Sequence, residues 1–197
     1  MTRKFIIYIF TFLTALFAVN NSASAQNAQL IINELMQSNV EEIMDDLNEF
    51  PDSWVEIYNR GPVTAILSEY KIGITNNPSE AWALPAVTLP AGGHQLIYCD
   101  KESQGLHTSF RLESGKGCQV YLFRYNTLVD QVEGLPKQPA PNIAYGRRTD
   151  GSDEWGYQLS TTPGKSNSRF ISDGTSPPCF SISALAIFTR WSALAFG

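Results

Sequence analysis

Beyond about Gln29 the chain is a series of short apolar runs cut by turn residues, and most runs alternate with period two. Gln29 to Met36 carries Leu30, Ile31, Ile32 and Leu35, and Trp54-Val55-Glu56-Ile57-Tyr58 sets large apolar residues around a carboxylate. Such alternation suits strands with one wet face. Tyr70 to Ile74, His94 to Cys99, Ser109 to Leu112, Gln119 to Tyr125 and Leu128 to Val132 are further predicted strands. Breakers separate them: Arg60-Gly61-Pro62, Asn76-Asn77-Pro78, Ala91-Gly92-Gly93 and Ser114-Gly115-Lys116-Gly117. Many short strands at this spacing predict an all-β sandwich, with helix expected only in Val40 to Asn48. Trp54 is expected in the core between the two sheets, since a Trp in a short strand serves packing.

The two ends differ from this pattern. Arg3 and Lys4, the apolar run Phe5 to Val19 and the small-residue site Ala23-Ser24-Ala25 follow the order of a secretory signal peptide. The run is shorter than the roughly 20 residues of a spanning helix. Residues 1–25 are therefore read as a cleaved signal and 26–168 as one domain, with secretion or cell-surface display as the expected location. Residues 169–197, with apolar Ala184 to Gly197, show neither strand alternation nor turn punctuation and read as an irregular tail, the truncated or frame-shifted start of a further module.

Composition agrees with a soluble exported domain. The chain is 43% hydrophobic and 12% aromatic, enough for one real core. Its net charge of −5 becomes −7 once Arg3 and Lys4 are removed. An acidic chain without a Lys/Arg cluster repels phosphate backbones, so nucleic acid is not an expected partner.

Six carboxylates crowd one segment: Glu41, Glu42, Asp45, Asp46, Glu49 and Asp52. That number suits Ca²⁺, but an EF-hand loop starting at Asp46 would place Pro51 where glycine is needed. The segment reads as a solvated acidic loop, with Ca²⁺ binding as the rival reading. Asp150-Gly151-Ser152-Asp153-Glu154 reads as a turn before Trp155. Exposed aromatics such as Trp82 and Trp155 would let the same rival bind a glycan, and the second rival is an accessory module of a surface hydrolase or kinase-like protein whose catalytic part is lost.

Four blocks stand out in order along the domain: Asn33-Glu34, Asp52-Ser53-Trp54-Val55-Glu56-Ile57-Tyr58-Asn59, Tyr145-Gly146-Arg147 and Thr162-Pro163-Gly164-Lys165-Ser166-Asn167. Together they give a chain that resembles the lamin-tail domain family, in its bacterial exported type, over about 140 residues. The resemblance implies an immunoglobulin-like β-sandwich that binds or positions a partner, often ahead of a spore-coat-kinase-like region. No catalytic set comes with it. The polar cluster Glu34, Asp52, Glu56, Asn59 and Arg147 is the candidate site. Its members serve either as a ligand site or as fold-holding groups, with Glu34, Glu56 and Asn59 bonding open backbone and Arg147 pairing with one of the carboxylates.

Enzyme signatures are missing from the sequence. His94 and His107 come with no nucleophile elbow and no HExxH helix, and Gly115-Lys116-Gly117 lacks the spacing of a phosphate loop. Carboxylate pairs for glycoside hydrolysis need a cleft that a plain sandwich does not supply. No metal or cofactor is expected, because Cys and His do not recur at short spacing. Of Cys99, Cys118 and Cys179, the first two lie at strand ends, where a disulfide or two free thiols both fit. The expected function is a non-enzymatic module with a protein, cell-surface or glycan partner.

Overall fold

The computed structural model describes residues 27–115, 117–158 and 160–167. The segment read as a signal, the segment read as a tail and Cys179 fall within residues 1–26 and 168–197, which lie outside the described residues. Eleven strands run β1 Leu30–Met36, β2 Trp54–Asn59, β3 Ala65–Ile66, β4 Tyr70–Gly73, β5 Trp82–Ala83, β6 Thr88–Leu89, β7 His94–Tyr98, β8 Val120–Arg124, β9 Thr127–Val132, β10 Tyr145–Arg147 and β11 Trp155–Tyr157. A five-stranded sheet, β11-β10-β1-β2-β7, faces a four-stranded sheet, β5-β4-β8-β9, and a small β3-β6 pair lies beside them. All strand pairings are antiparallel. The fold is an all-β sandwich.

Alternation builds the core. Leu30, Ile32, Leu35, Val55, Ile57 and Ile97 from the larger sheet meet Tyr70, Ile72, Val120, Leu122 and Val132 from the smaller one. Each apolar side chain taken from water there contributes roughly 1.5–3 kcal/mol. The core residues of β1 are not evenly spaced, because the register of β1 on β2 shifts between Ile32 and Glu34. This bulge at Asn33 resets the alternation. Ile31, Asn33, Glu34 and Met36 therefore share the outer face of the sheet, opposite the core.

Three expectations need correction. Val40 to Asn48 forms turns and bends instead of a helix. Asn39 and Asp45 divert the backbone: Asn39 Oδ1 accepts the Glu42 and Ile43 N–H groups, and Asp45 Oδ1 accepts those of Leu47 and Glu49. Ser109 to Leu112 is no strand, since only Arg111 makes an isolated bridge, to Asp100. Trp54 is fully buried but not between the sheets. It packs on the outer face with Met36 and Ala144, under Ile43, Leu96 and Tyr98. The register explains this, because Val55 and Ile57 take the inward positions and leave Trp54, Glu56 and Tyr58 facing out.

Cys99 and Cys118 are free thiols. Cys99 is buried in the core, and Cys118 Sγ accepts a bond from Gln37 Nε2 at 3.2 Å. Burial raises both thiols above their ordinary pKa.

Candidate functional site

The outer face of the five-stranded sheet is where the polar residues gather. Glu34 and Glu56 are directly opposite on β1 and β2, and neither is exposed. Asn33, brought to the same face by the bulge, donates from Nδ2 to Glu56 Oε1 at 3.1 Å and to Asp150 Oδ1 at 3.0 Å. The end of the described chain folds down onto this patch. Thr162-Pro163-Gly164-Lys165 makes a β-turn closed by Lys165 N to Thr162 O at 2.9 Å, with Pro163 second and Gly164 third at φ +75°. A turn of that kind favours Pro and Gly at these two places.

The turn is latched by the carboxylates. Glu34 accepts the Thr162 hydroxyl at 2.8 Å and lies 3.3 Å from the Thr162 N–H, while Glu56 accepts the Gly164 N–H at 2.7 Å. Asn167 closes the loop by donating to Arg147 O at 2.6 Å and from its backbone N–H to Asp150 Oδ1 at 3.0 Å. Gly146 lies beneath, paired with Glu34. A Cβ there would meet Gln158 Nε2 at 2.9 Å and Asn33 O and Glu34 Cγ at 3.1 Å, so a side chain would have to push the Gln158 amide and the β1 backbone aside. The four sequence blocks thus meet in one place.

Burial governs the electrostatics. Desolvation pushes the Glu34 carboxyl up to about 7 against the bonds from Thr162, and pushes Glu56 up to about 8 against those from Asn33 and Gly164. The charges of Asp150 and Glu42 on Glu34, and of Glu34 and Asp150 on Glu56, push the same way. Asp150 goes in the other direction. Its burial is outweighed by bonds from Asn167, Asn33 and Ser166 and by the His94 charge, which lower its pKa. His94, whose ring lies tilted against Tyr58 at 4.8 Å, has Nε2 3.2 Å from Asp150 Oδ2, outside hydrogen-bond geometry.

The remaining candidates lie elsewhere. Arg147, buried on β10, pairs with Asp130 of the opposite sheet at 3.1 Å, not with Glu34 or Glu56. Arg147 Nε donates to Ile32 O at 2.8 Å, and Asp130 Oδ2 accepts the Ile32 N–H at 2.7 Å. This ion pair therefore satisfies the backbone of β1 just where the bulge interrupts pairing. Asn59 binds three carbonyls, of Val63, Leu89 and Pro90, at 2.8–3.2 Å, and its Oδ1 accepts the Gly61 N–H at 3.1 Å. It tethers the loops at the far end of β2. Asp52 is half exposed and pairs with Arg111 at 3.1 Å. Asp130, Asp150, Thr162 and Asn167 were not among the sequence candidates. Only Thr162 and Asn167 carried a signal, as the ends of the last block.

A second cluster ties down the acidic segment. His107 Nδ1 lies 2.6 Å from Asp100 Oδ2 and His107 Nε2 lies 2.7 Å from Asp46 Oδ1. Desolvation lowers the imidazole pKa, but the two carboxylate bonds outweigh it and the net shift is upward. Asp45, Asp100 and His107 also present three possible ligand atoms within 4.8 Å of one another. Only Asp100 is common to both arrangements, so a cation there would take Asp100 and one ring nitrogen away from the His107 bonds. Trp82 packs against the core, and Trp155 stacks on Tyr145 at 5.7 Å with Arg147 over its ring at 4.8 Å. Both indoles are half-buried instead of exposed.

Comparison with family models, with characterised proteins and with solved structures finds no match. Among the described residues no helix is long and apolar enough to cross a membrane.

Proposed function

We propose that the chain is an exported, non-enzymatic binding and scaffolding module of the immunoglobulin-like, lamin-tail type. The observation that carries this reading is how the four blocks are used. Glu34, Glu56, Asn59 and Arg147, the residues that would have to act in a ligand or catalytic site, each spend their polar atoms on the fold itself. Carboxylates engaged in this way hold strands and loops in register and leave recognition to the surface. The signal-like N-terminus supplies the export half of the reading.

Expression of the full chain in a secreting bacterium tests it. The expected product begins near Gln26 and fractionates with the cell surface or the medium. A soluble cytoplasmic product that keeps Met1, or turnover of a substrate that is lost in Glu34→Gln while folding is retained, contradicts it.

A further inference from the structure

One surface segment departs from the rule that large apolar side chains are covered. Of the eight large apolar residues exposed among the described residues, four lie between 40 and 50: Val40 at 55%, Met44 at 52%, Leu47 at 43% and Phe50 at 46%. They share that stretch with five of the six carboxylates, and the sixth, Asp52, follows. No Lys or Arg occurs between Gln37 and Asn59.

This loop is built, not slack. Its two ends are joined by Asn39 N to Asp52 O at 2.9 Å, and Asn39 Nδ2 donates across it to Ile43 O and Pro51 O. Asn142 Oδ1 accepts the Val40 N–H at 2.7 Å, and Gln138 Oε1 accepts the N–H groups of Gln37 and Ser38. His107 holds Asp46, and Ile43 is the apolar residue that turns inward, against the Trp54 cluster. The loop is therefore held by its polar groups while its larger apolar side chains face water. An apolar group fixed in water gains by being covered, and a surface ordered in advance loses little entropy when that happens. Its charges choose the cover. Asp46 and Asp52 are engaged with His107 and Arg111, Glu42 with Thr161, and Asp45 with its own turn. Glu41 and Glu49 have no side-chain partner among the described residues.

We infer that residues 40–50 form a docking surface for a cationic amphipathic protein segment, whose apolar side chains cover Met44, Leu47 and Phe50 and whose Lys or Arg groups meet Glu41 and Glu49. The inference rests on the binding-module reading and adds the chemistry of the partner to it. An anionic membrane surface or nucleic acid is repelled by the same charges.

Binding of a labelled amphipathic Leu/Lys peptide and of its Leu/Glu counterpart to the full chain tests it by fluorescence anisotropy. The Leu/Lys peptide binds and the Leu/Glu peptide does not. The exposed-residue variant Met44→Ser/Leu47→Ser/Phe50→Ser weakens binding about a hundredfold. Glu41→Gln/Glu49→Gln weakens it by about tenfold at low salt and by less at high salt. An unchanged melting temperature shows that both variants fold. Equal binding of the two peptides, or undiminished binding by the serine variant, overturns the inference. So does self-association of the full chain, or binding to phosphatidylcholine vesicles, that the serine variant abolishes, because the cover would then be a second copy or a lipid. Surface retention of the serine variant in a secreting bacterium separates the two claims. If wild type and variant are both retained but the peptide test fails, the module reading stands without this docking surface; if the wild type is not exported, the module reading itself fails.

Discussion

The two faces of the five-stranded sheet are made of the same strands and held by opposite physics. The inner face, from Leu30, Ile32, Leu35, Val55 and Ile57, is apolar and meets the second sheet. The outer face sets Ile31 and Tyr58 at one end and Met36 and Trp54 at the other, with Asn33, Glu34 and Glu56 between them. It is covered not by a sheet but by loops: the acidic segment over Trp54, the turn at Asp150 and the turn at Thr162. Burial of apolar area is insensitive to pH and forgiving in geometry. A buried polar layer depends on every partner being in place. The outer face is therefore where the protein is most easily disturbed, and where its response to conditions originates.

The comparison is broken most severely at Trp54. Trp54→Ala is expected to cost roughly 3–5 kcal/mol, as for large-to-small changes in a core, although this residue lies on the outer face. Chemical denaturation measures it. A loss below about 1 kcal/mol would show that the loop cover collapses around the gap.

The next largest effect is expected at the ion pair between the sheets. Arg147→Leu leaves the partly buried Asp130 without its charge partner and frees the Ile32 carbonyl, so a loss of about 3 kcal/mol is expected, with Asp130→Asn/Arg147→Leu less harmful than the single change. A double-mutant cycle by denaturation checks the sign. Asn59→Ala, which unties three carbonyls, should cost about 1–3 kcal/mol and speed hydrogen exchange at Val63 and Leu89.

These effects also show what was legible in the sequence. Six of the predicted strands, around Leu30, Trp54, Tyr70, His94, Val120 and Leu128, are present, because each is long enough to display alternation. The pairs and triplets of β3, β5, β6, β10 and β11 are too short to show a period. Tyr145-Gly146-Arg147 was visible only as a block, and its Gly is explained by the crowding under Glu34. The carboxylates Glu34 and Glu56 were identified, but not their shared face. That depends on the bulge at Asn33, which no alternation rule announces. For the same reason Asp130, an acid within a strand, gave no sign that Arg147 would choose it over the carboxylates of the blocks.

The smallest effect is expected on the acidic loop. Met44→Ser/Leu47→Ser/Phe50→Ser should change stability by no more than about 0.5 kcal/mol per site, because about half of each side chain is already in water. A large loss would mean that the loop apolar groups pack in the fold instead of serving as a surface.

The central claim is that Glu34 and Glu56 lie buried beneath the Thr162 turn, where desolvation outweighs the bonds the turn donates to them, and the pH dependence of stability tests it most directly. Both folded pKa values, about 7 and about 8, lie above the ordinary value of 4.5. The folded state then binds more protons than the unfolded one, so the contribution of the pair is fully present below about pH 4.5 and is lost as the pH rises through 7 and 8. Denaturation of the wild type and of Glu34→Gln, measured from acid to mildly alkaline pH, should give a wild type that weakens across this window and a variant with a shallower slope. Parallel slopes in the two proteins, or wild-type stability that rises from pH 5 to pH 8, would contradict burial of the pair beneath the turn.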